Sequence, residues 1–142
     1  MHSVLGILKE KGSDVWSVHP HDTVLSALQI MADQSIGSVI VLEEERVVGV
    51  FTERDYARKG ILKGRASADT RVEEIMTQEV ISVTPDRLVT DCLALVTKER
   101  VRHLPVLEND RLVGLVSIGD LVKGVIDEQR FMIERLEDYV RG

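Results

Sequence analysis

Apolar and polar positions follow the same order twice along the chain. Val15–Val18 is a short β-prone stretch closed by Pro20, and Val80–Val83 is another closed by Pro85. A helical period follows each, at Val24, Leu28 and Met31 and again at Val89, Leu93 and Val96. That i, i+4, i+7 spacing puts three apolar side chains on one helix face. Ser38–Leu42 and His103–Leu107 then read as nearly continuous apolar strands. Glu43–Glu45 and Glu108–Asp110 supply polar turns, and Arg46–Phe51 and Arg111–Val116 read as the return strands of hairpins. A second helix opens near Thr52 and near Ser117. The order β-α-β-β-α, written twice, predicts an α+β fold. One such unit buries only part of its apolar surface, so two are expected to pack with pseudo-twofold symmetry around a shared core.

Sliding the chain by 65 positions lays residues 15–61 over 80–126 without a gap, and 14 of the 47 positions are identical. The organisation that follows is an N-terminal segment 1–14, a first repeat 15–61, a linker 62–79, a second repeat 80–126 and a C-terminal helical extension 127–142. The first half of the linker reads as a loop, and Thr70–Thr77 as a short helix leading into the second repeat. Pro105 falls inside a strand pattern where the first repeat has Ile40. Proline cannot donate to a ladder, so an edge is expected there. Beyond Asp120 the apolar stripe Leu121, Val125, Met132, Leu136 and Tyr139 or Val140 predicts a helix to about Arg141. Its far end fits a dimer contact or a helix folded back on its own core.

Composition narrows the function classes. Apolar residues at 44% support a core, and the net charge of −6 argues against a nucleic-acid or membrane-surface binder, which needs a basic footprint. Aromatics at 4% leave little for base-stacking platforms. The single cysteine, Cys92, excludes an internal disulfide and aligns with Ala27, as a small core residue would. The N-terminus fits no signal peptide and no apolar run is long enough to span a bilayer, so the cytoplasm is the expected location. His2, His19, His21 and His103 show no metal-ligand spacing, and no metal is expected.

The candidate chemistry lies in two tetrads, Thr52-Glu-Arg-Asp55 and Ser117-Ile-Gly-Asp120. Each follows an apolar strand and opens a helix. In one reading, Thr52 and Ser117 cap the helix and the aspartate three residues on closes a capping box. In the other, the hydroxyl and the free N–H groups of the helix N-terminus meet phosphate or sugar oxygens, and the carboxylate accepts the hydroxyls of a ribose. The two readings are compatible.

The double unit, with Gly49-Val-Phe-Thr-Glu-Arg-Asp55 and Gly114-Leu-Val-Ser-Ile-Gly-Asp120, resembles the CBS-domain family, and in particular small stand-alone proteins made of one CBS pair, or Bateman module. Arg100-Val-Arg-His-Leu-Pro-Val106 matches the strand before the second hairpin, and Val72-Glu-Glu-Ile-Met-Thr77 the segment leading into a repeat. The resemblance implies that an adenine nucleotide binds in the cleft between the repeats. AMP and NAD suit the layout best and ATP is compatible. Asp55 and Asp120 would hold ribose hydroxyls, and Thr52 and Ser117 would touch ribose or phosphate. Ser17 to His19 and Ser82 to Thr84 would edge the base. Backbone at Ser38, Val39 and Ile40, and at His103, Leu104 and Pro105, would read the adenine rim. Arg54, Arg102 and His103, with Arg58 behind them, are the candidate phosphate cations. Arg54 and Arg58 also read as surface charges, His103 as a hydrogen-bonded strand residue, and Trp16 as packing or as a border to the base.

The copies differ where the cations stand: Arg54 faces Gly119, and Gly37-Ser38 faces Arg102-His103. Two pockets of unequal affinity are expected. No catalytic triad, metal cluster, Gly-rich phosphate loop or acid/base pair is visible, so a non-catalytic regulatory sensor is expected, acting as a homodimer and on an unidentified regulated protein. The alternative is a ligand-free interaction or dimerisation module.

Overall fold

The computed structural model describes residues 2–142. Its elements in chain order are α1 (Val4–Lys11), β1 (Ser17–Val18), α2 (Val24–Gln34), β2 (Ser38–Glu43), β3 (Arg46–Thr52), α3 (Glu53–Asp55), α4 (Val72–Ile75), α5 (Val89–Glu99), β4 (His103–Glu108), β5 (Arg111–Ser117) and α6 (Ile118–Arg141). A π turn at Tyr56–Gly60 and a 3₁₀ turn at Ile61–Lys63 continue α3. The chain divides into two compact units. The repeat-one unit is Val15–Val80 with Asn109–Leu112; the repeat-two unit is the chain up to Asp14, Ile81–Glu108 and Val113–Gly142. Each unit therefore holds one repeat and the segment that precedes the other repeat.

Each repeat folds by local rules. Thr23 caps α2, its hydroxyl accepting from Ser26 N at 3.1 Å. α2 and α5 end on left-handed residues, Ser35 (φ 55°) and Arg100 (φ 55°). The buried faces are Val24, Ala27 and Met31, and Val89, Cys92 and Val96. Leu28 and Leu93 are only partly buried. At about 100° per residue, i+3 and i+7 lie on one side of position i and i+4 on the other, so the face turned inward is one step round from the expected one. Glu44 and Glu45, and Asn109 and Asp110, are consecutive left-handed pairs, the geometry of a type I′ hairpin turn. β2 runs antiparallel to β3, with Ser38 opposite Thr52 and a register shift between Val41 and Leu42.

Each unit has its own apolar cluster. Val24, Ala27, Met31, Val41 and Phe51 serve the first, and Val89, Cys92, Val96, Val106 and Val116 occupy the matching places in the second. Volume is traded between positions: Phe51 sits with Ala27, where the second repeat pairs Val116 with Cys92. The Cys92 thiol is buried, and burial pushes its pKa up, as expected of a core residue.

The sheets differ for one reason. In the repeat-one unit β1 lies parallel to β2, and Ile40 N donates to Trp16 O at 3.3 Å. Pro105 holds the place of Ile40 and has no N–H to give. The β-prone stretch before Pro85 accordingly forms no strand and keeps a single parallel bridge, Val83 to Val106, leaving a two-stranded β4–β5 sheet. The edge expected at Pro105 thus removes a strand. Trp16 is half exposed.

The helices after the tetrads also diverge from the expected matching pair. After Ser117 the chain runs as one regular helix of 24 residues. After Thr52 it winds through α, π and 3₁₀ turns and stops at Gly64 (φ 71°). Gly60, buried there, leaves little room for a side chain: a Cβ would lie 3.1 Å from Tyr56 Cδ1, and the ring would have to give by a few tenths of an ångström. α6 packs its first turns through Leu121 and Gly124, while Phe131, Met132, Leu136, Tyr139 and Val140 are exposed. The helix does not fold back on its own core.

The leading segments dock alike. Val4 N donates to Arg87 O (2.9 Å) and Val72 N to Asp22 O (2.8 Å). Leu8 then lies over Gly114 and Met76 over Gly49, so close that a Cβ on either glycine would stand 2.6 Å from the covering side chain.

Candidate functional site

Both tetrads sit where β3 and β5 pass into a helix. Thr52 Oγ1 accepts from Asp55 N (3.1 Å), and Asp55 Oδ2 accepts from Thr52 N (3.1 Å). Ser117 Oγ accepts from Asp120 N (3.1 Å), and Asp120 Oδ2 accepts from Ser117 N (2.9 Å). These are complete capping boxes, so the structural reading of the tetrads holds in full. The first N–H of each helix is also engaged: Glu53 N donates to Gly37 O (3.1 Å) and Ile118 N to Arg102 O (3.0 Å). Three of the four backbone N–H groups of each tetrad are thus taken.

The carboxylates have further partners. Asp55 is buried at 6% exposure, its Oδ1 accepting from Thr77 Oγ1 at 2.9 Å, with Lys59 Nζ at 3.4 Å. Asp120 Oδ2 is 2.7 Å from Lys11 Nζ, which also donates to Leu115 O at 3.0 Å. Burial pushes the Asp120 carboxyl up, but the hydrogen bonds from Lys11 and Ser117 outweigh it and hold the group below the usual carboxylate range. His103 lies in the same field. Burial lowers its pKa, and the positive charges of Lys11 and Arg102 lower it further against the pull of Asp120.

The residues expected to edge a nucleotide fall into two sets. In the repeat-one unit Ser17 pairs with Ile40 and Ser38 with Thr52 across the sheet. In the repeat-two unit Arg102 and His103 stand beside Ser117 and Asp120, and Pro105 O accepts from Val83 N (3.0 Å), between Ser82 and Thr84. The side chains of Val39, Ile40 and Leu104 are buried, so these residues can offer a ligand only their backbone. Ser17, Ser82, Thr84, Arg54, Arg58 and Arg102 are exposed, and the Thr84 hydroxyl is bound to the Asp86 carboxylate. Among the described residues no three of His, Cys, Asp and Glu gather to hold a metal ion, and no helix is long and apolar enough to cross a membrane.

Three residues escaped the sequence reading: Lys11, Thr77 and Lys59. Lys59 was legible as an i, i+4 partner of Asp55. The segments that carry the other two, though not the two side chains themselves, follow from a second register. Shifting the chain by 68 positions rather than 65 lays Val4, Ile7 and Leu8 over Val72, Ile75 and Met76. Their shared docking on Gly114 and Gly49 bears this out.

The CBS domain profile matches residues 11–60 and 72–127. The chain is 37% identical to the CBS domain-containing protein CBSX3, mitochondrial, of Arabidopsis thaliana, over 99% of this chain and 72% of that protein. It resembles the crystal structure of the CBS domain NE2398 with a TM-score of 0.84 and 47% identity, over 89% of this chain and 99% of that one. The CBS domain pair of protein MJ0100, solved in complex with 5′-methylthioadenosine and S-adenosyl-L-methionine, matches with a TM-score of 0.76 and 25% identity, over 87% of this chain and 94% of that one. The repeated unit, its paired tetrads and these likenesses agree: this chain belongs to the CBS-domain family and is a tandem pair of its repeats.

Proposed function

We propose that the protein is a non-catalytic regulatory module that binds an adenine nucleotide, AMP or NAD, through the ribose-directed carboxylates Asp55 and Asp120. The observation that carries the reading is the repetition of one geometry: a hydroxyl and a carboxylate locked together at a strand-to-helix junction, twice, with cations beside each. The adenosine ligands of the MJ0100 domain pair support the class of ligand. Arg54 and Arg58 serve phosphate in one half-site, and Arg102 and His103 in the other. A cytoplasmic location belongs to the same proposal; fractionation placing the protein in an organelle, as the name of the Arabidopsis relative suggests for that protein, would revise it.

Calorimetry with AMP and with NAD tests the reading. A hydrogen bond to a charged group contributes about 1.5–3 kcal/mol. Asp55→Ala and Asp120→Ala, each checked for retained folding, should therefore weaken binding at one half-site by roughly 10- to 150-fold. Unchanged affinity in both variants would leave the chain as a ligand-free interaction module.

The homodimer is read from α6, whose last turns expose Phe131, Met132, Leu136 and Tyr139. Apolar surface of this kind on a helix fits a second copy of the same helix. Light scattering should give a dimer mass for the full chain and a monomer mass for Leu136→Glu; equal masses reject the assignment.

A further inference from the structure

The two tetrads are closed by different chemistry. In the repeat-one unit the chain turns extended after α4. Thr77 N donates to Val50 O (2.9 Å), Val50 N to Thr77 O (3.0 Å), and the Thr77 hydroxyl reaches Asp55. In the repeat-two unit α1 continues a further turn, and one side chain reaches both the equivalent strand carbonyl and the carboxylate, here on the oxygen that also closes the cap. Leu115 and Asp120 align with Val50 and Asp55, and Lys11 Nζ donates to both. A neutral hydroxyl fixed by a backbone bridge is thus replaced by a cation on a long, flexible stem with 38% side-chain exposure. Lys59 also approaches Asp55, but at 3.4 Å it lies outside the range of a charge-assisted hydrogen bond, whereas Lys11 at 2.7 Å lies within it.

We propose that Lys11 makes the repeat-two half-site selective for nucleosides that carry a 5′-phosphate. A ribose hydroxyl that binds Asp120 competes with the ammonium for the carboxylate, whose Oδ2 already accepts from Lys11 and Ser117 N. With an uncharged nucleoside the cation loses part of its counter-charge. With a nucleotide it gains another, because the lysine stem lets Nζ move from the carboxylate to a phosphate oxygen while α1 stays docked through Leu8. Arg102 and His103, which share the electrostatic field of Lys11, are the further donors this inference assigns to that phosphate. The Thr77 hydroxyl offers the repeat-one half-site no comparable exchange. This inference rests on the ribose reading of Asp120 and adds a residue outside both repeats to that half-site.

The test titrates the full chain, Lys11→Met, Lys11→Arg and Asp120→Ala with AMP and with adenosine. The full chain should prefer AMP. Lys11→Met should narrow the AMP-to-adenosine ratio at one of two sites by about tenfold, weakening AMP and strengthening adenosine, the size expected for one charge-assisted hydrogen bond. Lys11→Arg should keep the preference. A merely structural lysine would move both ligands together. An unchanged ratio in Lys11→Met, with Asp120→Ala weakening both ligands, overturns the role of Lys11 and leaves the ribose reading standing. If Asp120→Ala changes neither ligand, or the full chain binds neither, the ribose reading fails and the inference falls with it.

Discussion

Asp55 and Asp120 occupy the same place in the two repeats and close the same capping box, yet they live in different surroundings. Asp55 is buried and held by a hydroxyl that the backbone fixes in place. Asp120 is more exposed and held by an ammonium at the end of a helix. Both solutions answer one demand, that a carboxylate and a neighbouring strand carbonyl find donors. The repeat-one unit meets it with an amide N–H and a hydroxyl from an extended segment. The repeat-two unit meets it with two of the three donors of one lysine. The difference shows how a duplicated fold keeps its frame while changing the charge set beside the carboxylate.

The glycines beneath the two segments give the largest expected effect. In Gly49→Ala the new methyl would meet Met76 Sδ at 2.6 Å and the Thr77 carbonyl at 3.0 Å, and that carbonyl is bonded to Val50. Overpacking of this kind costs about 1–3 kcal/mol, and the locked backbone puts Gly49→Ala at the upper end. The nearest atoms to a Gly114→Ala methyl all belong to the Leu8 side chain, which can shift more readily than backbone, so a smaller loss is expected. Denaturant unfolding of both variants measures the order; a larger loss at Gly114 would mean that α1 is held as rigidly as the Thr77 segment.

Next in size is the hydrogen bond to the buried carboxylate. Thr77→Val should lower stability by about 1.5 kcal/mol, since it leaves a buried acceptor short of a donor. Lys11→Met, which removes the shorter contact but in an exposed pair, should cost less than about 1 kcal/mol. Thermal unfolding of the two variants side by side decides whether burial or distance sets the contribution. Equal losses would show that the exposed pair is better ordered than its exposure suggests.

Much of this architecture was legible because it is local. The hairpins follow from turn residues, the helices from apolar spacing, and the tetrads from a hydroxyl three residues before a carboxylate. Pro105 marked the point where the repeats part, although the loss of the neighbouring strand became plain only from the Ile40-to-Trp16 bond that proline cannot make. Lys11 stayed hidden. It lies 109 positions from Asp120, and three extra residues shift its segment out of the register in which the repeats align. The apolar spacing of Val4, Ile7 and Leu8 was the available signal, readable only against Val72, Ile75 and Met76.

The sequence by itself determined the duplicated β-α-β-β-α order, the capping boxes and the inward face of each helix to within one step, because neighbours along the chain dictate them. The tertiary structure decided which leading segment docks on which repeat, and hence that Asp55 receives a hydroxyl and Asp120 an ammonium. Those partners are brought together by apolar packing on Gly49 and Gly114, and packing between distant segments leaves no period in the sequence to read.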